Sequence, residues 1–136
     1  MATRKIFISF DYENDKHYKN LLIAWSGNPD FADFYINDQS VSDPVDSDRA
    51  APVRRAISAK ISAATGFLCI VGEETSKSRW VKWETEKAAE LGKCIIAVKV
   101  NKDCPTPSAL YGVGATWALS FNFEAIKNAI EEAYSG

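Results

Sequence analysis

Phe67-Leu68-Cys69-Ile70-Val71 is a run of five apolar residues with no polar interruption. A half-exposed strand alternates apolar and polar residues. An unbroken run belongs to a strand covered on both faces, as in the middle of a parallel sheet. Upstream of it, Val53, Ile57, Ile61 and Ala64 mark the buried stripe of a helix, and Pro52 suits that helix's first turn. Downstream, Trp80, Glu84, Ala88 and Leu91 step along a second helix that Gly92 closes. Further out, Lys5–Phe10 reads as the first strand, and Tyr18, Leu21, Leu22 and Trp25 form one helical face with Asn14 or Asp15 as N-cap. Gly27-Asn28-Pro29 stops that helix, Phe31–Ile36 reads as strand two, and Ser40–Asp48 is a polar loop. Ile95–Val100 reads as strand four, and Pro105-Thr106-Pro107 opens a long loop. Trp117–Phe121 reads as a short fifth strand. Phe123, Ile126, Ala129, Ile130 and Ala133 make a C-terminal amphipathic helix. Strands alternating with helices imply βαβ units. The predicted fold is α/β, a three-layer sandwich with a flavodoxin-like parallel sheet of order 2-1-3-4-5.

The chain has 136 residues, which is the size of one domain spanning 1–136. Apolar residues make up 46% and charged residues 25%, an ordinary globular balance. Sixteen basic side chains face eighteen acidic ones, so the net charge of −2 argues against nucleic acid or an anionic membrane as partner. The apolar run Ile6–Phe10 is stopped by Asp11, too early for a signal peptide, and no run approaches the roughly 20 residues of a spanning helix. Three cysteines, none in a C-x-x-C pair, point to a cytoplasmic protein without disulfides; Cys69 and Cys94 read as small buried hydrophobes.

Several chemistries lack their residues. There is no G-x-G-x-x-G after the first strand and no P-loop, and Gly112-Val113-Gly114 reads as a bend. His17, the only histidine, reads as a surface residue beside Tyr18, which leaves no partner for a Ser-His-Asp or Cys-His catalyst. No metal is expected: zinc ligands are absent, and Asp43, Asp46 and Asp48 match no EF-hand spacing, so their loop reads as solvated. Gly72-Glu73-Glu74 stands where a receiver-type phosphoacceptor aspartate would end the third strand.

One place remains for a ligand. In an open parallel sheet it is the crevice outside the carboxyl ends of the strands, where the strand order switches. In the order above that crevice lies between strands one and three. Ser9-Phe10-Asp11-Tyr12 and the stretch Thr75 to Glu84 meet there. Glu84 stands four residues after Trp80, on the apolar stripe. A carboxylate there costs several kcal/mol unless it is paired or neutralised. Either it is a tuned carboxyl with a raised pKa, or it sits at the rim of the stripe paired with Lys87 or Lys82.

Ile6-Phe7-Ile8-Ser9-Phe10 followed by an acidic turn resembles the first box of TIR domains, and Ser78-Arg79-Trp80-Val81-Lys82-Trp83-Glu84 resembles their S-x-W-x-x-x-E helix motif. With the blocks Phe7–Asp15, Ile70–Thr75 and Pro107–Trp117, nearly the whole chain is similar to the TIR-like proteins of Thoeris anti-phage systems. The resemblance implies an enzyme that cleaves the bond between nicotinamide and ribose, with Glu84 as the catalytic glutamate. NAD+ is its substrate, with no further cofactor. The product implied is a cyclic ADP-ribose isomer that activates a separate effector.

Ser9, Phe10, Asp11, Asp46 and Trp80 are the substrate-binding candidates. Phe10 and Asp11 either line the nicotinamide side or serve strand-end packing and helix capping. Trp80 is either an apolar wall beside Glu84 or plain core. Gln39–Asp48 corresponds to the loop after strand two in TIR domains, which covers the pocket or touches a neighbouring protomer. It lacks the Arg- and Gly-rich surroundings found in many TIR adaptors. Two other readings compete: a non-enzymatic TIR-like module acting by self-assembly or partner assembly, and a flavodoxin-like nucleotide binder, which the missing phosphate loop disfavours.

Overall fold

The computed structural model describes residues 5–11, 14–25 and 47–135, and the backbone of 33–36. Gly27-Asn28-Pro29, Phe31 and most of the Ser40–Asp48 loop, Asp46 included, lie outside the described residues. The elements in chain order are β1 Lys5–Ser9, α1 Lys16–Trp25, β2 Asp33–Ile36, α2 Ala51–Ala63, β3 Gly66–Val71, α3 Arg79–Glu90, β4 Cys94–Lys99, β5 Thr116–Ala118 and α4 Phe123–Ser135. Every strand pair is parallel, and the strands lie side by side as β2-β1-β3-β4-β5. This is the α/β class that the alternation predicts.

The strand period of two divides the side chains between two cores. Ile6, Ile8 and Phe10 of the first strand and its exit join Leu68 and Ile70 of β3, Leu22 of α1, and Ile126 and Ile130 of α4. Phe7 joins Phe67, Cys69 and Val71 of β3, Ile57 and Ile61 of α2, and Val81 and Ala88 of α3. Helices therefore cover both faces of the sheet, α1 and α4 on one side and α2 and α3 on the other. All six residues of β3 are buried. Each fully buried Ile, Leu or Phe contributes about 1.5–3 kcal/mol relative to exposure, so this strand anchors both layers. Phe7 and Phe67, neighbours across β1 and β3, stack with ring centres 5.9 Å apart.

Some expected boundaries move. Helix α3 stops at Glu90, so Leu91 caps it and is 40% exposed instead of extending the buried stripe. Strand β1 ends at Ser9, one residue before Phe10, although Phe10 stays in the core. Strand β5 covers Thr116–Ala118, and Leu119, expected inside it, is exposed because the chain there turns into α4. Val53 and Cys94 are half-buried where burial was expected. Gly112 and Gly114 both have φ above +70°, which makes their G-x-G a bend.

Candidate active site

Ser9 is the last residue of β1, and alternation turns its side chain to the same side as Phe7, toward α2 and α3. Helix α3 arrives there because its start is fixed. Ser78 is extended, and its Oγ accepts the backbone N–H of Val81 at 3.2 Å, a side-chain N-cap. From that start, Val81, Glu84, Thr85 and Ala88 form the buried face. The two segments meet where the Ser9 hydroxyl donates to Glu84 Oε1 at 2.8 Å. Ser9 is 1% exposed and Glu84 7%.

Glu84 is not the rim ion pair. Lys87 turns to Glu90 at 3.3 Å and lies over the Trp83 ring, and Lys82 is exposed. Burial pushes the Glu84 carboxyl up to about 7, and the Ser9 hydrogen bond pulls in the opposite direction. Among the described residues no buried side-chain oxygen lacks a hydrogen bond. Ser9 engages Oε1, and Glu84 as a whole retains 7% exposure. Directly across from Ser9 in the sheet is Cys69. Burial raises its thiol pKa, and the charges of Glu84 and then Asp15 raise it further, so it stays a neutral thiol.

A second buried cluster stands at the same end of the sheet. Asp15, 4% exposed, accepts the Thr75 hydroxyl at 3.1 Å, while Thr75 Oγ1 accepts the Gly72 N–H at 2.8 Å. The Ile70 carbonyl, 3.3 Å from Thr75 Oγ1, is an alternative acceptor for the same proton. Burial raises the Asp15 pKa, against the lowering effect of the Thr75 hydrogen bond. Asp15 also begins α1 with its backbone, since its carbonyl accepts from Tyr18 and Lys19. Beyond it, a cleft of about 270 Å³ opens between the start of α1 and the ends of β3 and β4, lined by Asn14, Asp15, His17, Glu73, Glu74 and Asn101 among others. Glu84 is not in its wall.

The structure brings together Ser9 and Glu84 and separates Phe10 from them. Phe10 points to the α1 and α4 side, with Lys19 Nζ 5.7 Å from its ring centre. Asp11 holds the turn into α1, its carboxylate accepting from the Asn14 side chain at 2.7 Å and its carbonyl from the Asp15 N–H at 2.8 Å. Trp80 is half-buried against the α2 and α3 core, edge-on to Trp83 at 6.0 Å. Asp46 lies outside the described residues. Sequence reasoning placed the stretch Thr75 to Glu84 at this crevice but singled out neither Thr75 nor Gly72 as a site residue. Their one signal was a glycine directly after a buried strand with a hydroxyl residue three positions on.

A family model described as the TIR-like domain of the Thoeris protein ThsB matches residues 7–104. No curated protein matches the chain. Among solved structures the chain is similar to the TIR domains of the activated Roq1 resistosome that directly recognises the pathogen effector XopQ. The identity there is 12% and the TM-score 0.52, over 71% of this chain and 57% of that one. It is also similar to a CMP N-glycosidase of Clostridium botulinum, BcmB, at 12% identity and TM-score 0.59 over 97% of this chain and 99% of that one. A 2-deoxyribosyltransferase of Bacillus psychrosaccharolyticus is similar at 17% identity and TM-score 0.52, over 75% and 77% respectively. At these identities the likeness is one of fold, and the fold is TIR-like.

Proposed function

The chain belongs to the family of TIR-like domains of the Thoeris protein ThsB, and on that premise we propose that it is an NAD+-cleaving enzyme with Glu84 as its catalytic carboxylate. The reading is supported above all by one observation: a buried carboxyl beside the carboxyl end of β1, held by Ser9 at one oxygen. Two similar structures carry names that refer to N-glycosidase and deoxyribosyl-transfer chemistry, which fits the same class of bond.

In the proposed reaction the bond between the ribose C1′ and the nicotinamide nitrogen breaks, and its electron pair neutralises the pyridinium ring. The ribose is left as an oxocarbenium-like cation. Ionised Glu84 stabilises that cation through Oε2, with strength gained from the low dielectric of its surroundings. Ser9 keeps the carboxylate from rotating away. Attack on C1′ by a group of the same molecule, with loss of its proton where it carries one, gives a cyclic ADP-ribose isomer. Attack by water gives ADP-ribose and a proton. Trp80 provides an apolar wall one turn before Glu84. Asp11 borders the substrate, and Phe10 anchors the tip of β1 from the other layer. The cyclic product leaves as a diffusible signal to a separate effector.

Incubation of the purified chain with NAD+ tests this, with nicotinamide followed by chromatography and products by mass spectrometry. The expected result is nicotinamide release and a product one water lighter than ADP-ribose. Glu84→Gln lowers turnover by at least about 100-fold with the fold retained. Equal turnover by the variant removes Glu84 from the reaction. A chain that self-associates and leaves NAD+ intact supports the assembly module instead.

A further inference from the structure

We propose that Asp15, Thr75 and Gly72 form a clasp that positions Ser9 against Glu84, with Asp15 and Thr75 as positioning residues; this rests on the reading of Glu84 as the catalytic carboxylate. The clasp joins the two segments that leave the sheet at its switch in strand order. Asp15 ends the short turn that follows Ser9, and its N–H is bonded to the Asp11 carbonyl. Thr75 begins the turn that leads to Ser78, whose N–H is bonded to the Thr75 carbonyl and whose hydroxyl caps α3. One hydrogen bond between Asp15 and Thr75 therefore ties the lead-out of β1 to the lead-in of α3.

Gly72 supplies an independent reason to read this as a fitted contact. Its φ is not positive, so its backbone alone does not demand glycine. A methyl group there would land on both carboxylate oxygens of Asp15. Glycine is needed because the carboxylate occupies that space. Asp15 and Thr75 are respectively 4% and 1% exposed, so the bond between them is a buried one. A shift of either segment moves Ser9 relative to Glu84, and near-ångström misplacement of a catalytic group is costly.

The test follows the side-chain carboxyl of Glu84 by ¹³C NMR across pH in the full chain. Ser9→Ala removes the hydrogen bond to Oε1, and the midpoint rises. Thr75→Val and Gly72→Ala raise the midpoint in the same direction, and Thr75→Ser matches the parent. Combining Ser9→Ala with Thr75→Val gives no further rise than Ser9→Ala alone, because both act through one contact. With NAD+, the two clasp variants lower kcat on the order of tenfold and leave KM within about twofold. A folded Thr75→Val or Gly72→Ala chain with the parent's midpoint overturns the proposal. So does an unmoved midpoint in Ser9→Ala, or full additivity in the double variant. Gly72→Ala carries the test if Thr75→Val does not fold. The titration needs no turnover, so a parent chain that leaves NAD+ intact defeats the enzymatic reading alone.

Discussion

Glu84 makes the folded chain sensitive to pH. Its carboxyl titrates at about 7 in the folded state against an ordinary 4.5. Between those values the folded chain keeps a proton that the unfolded chain has released, so stability falls as pH rises through the window and stays lower above it. The full cost is at most about 3 kcal/mol. Glu84→Gln removes that cost, because an amide carries no charge and still accepts from Ser9. The variant's melting temperature is expected to exceed the parent's at pH 8 and to converge with it near pH 4. The Asp15 pKa is raised as well, so a residual slope of the same sign remains in the variant. A melting curve of Glu84→Gln that tracks the parent at both pH values contradicts this account. Glu84 was legible in the sequence because a carboxylate on an apolar stripe stands out. Ser9 as its partner was not, since 75 residues separate the two and no local pattern pairs them.

At the scale of elements, α3 is the lever that carries the carboxyl. Its position depends on where it starts, and Ser78 sets that start. Ser78→Ala removes the cap and is expected to lower stability by about 1 kcal/mol, measured by urea unfolding. The first turn of α3 then exchanges its amide hydrogens faster than the rest of the helix. Helix interiors were legible from the 3.6-residue period, as Ile57, Ile61, Val81 and Ala88 illustrate. Helix ends were legible in part: Gly92 closes α3 and Pro52 stands in the first turn of α2 as read, but the last buried position of α3 was not evident. The apolar period runs on to Leu91, but the backbone leaves the helix at Glu90, and Gly92, at φ +71°, takes the left-handed position that follows. Phe10 shows the same limit for strands: alternation puts it opposite Ser9, whereas the helices it meets there, α1 and α4, emerged only from the packing.

For the whole molecule, alternation along the chain carried the architecture, because each βα unit must bury an apolar face against the sheet. Contacts between segments distant in sequence, such as Asp15 with Thr75, depend on how the layers settle on one another, and single-sequence periodicity does not encode them. The three free thiols sample this layered body at different depths: Cys94 half-exposed, Cys69 and Cys104 buried. An alkylating reagent added to the native chain is expected to modify Cys94 first, with Cys69 and Cys104 at least about 100-fold slower, as resolved by peptide mass spectrometry. Cys69 lies beside Ser9 in the neighbouring strand, so its alkylation rate is a clock, already built into the chain, for how often the floor beneath the carboxyl comes apart.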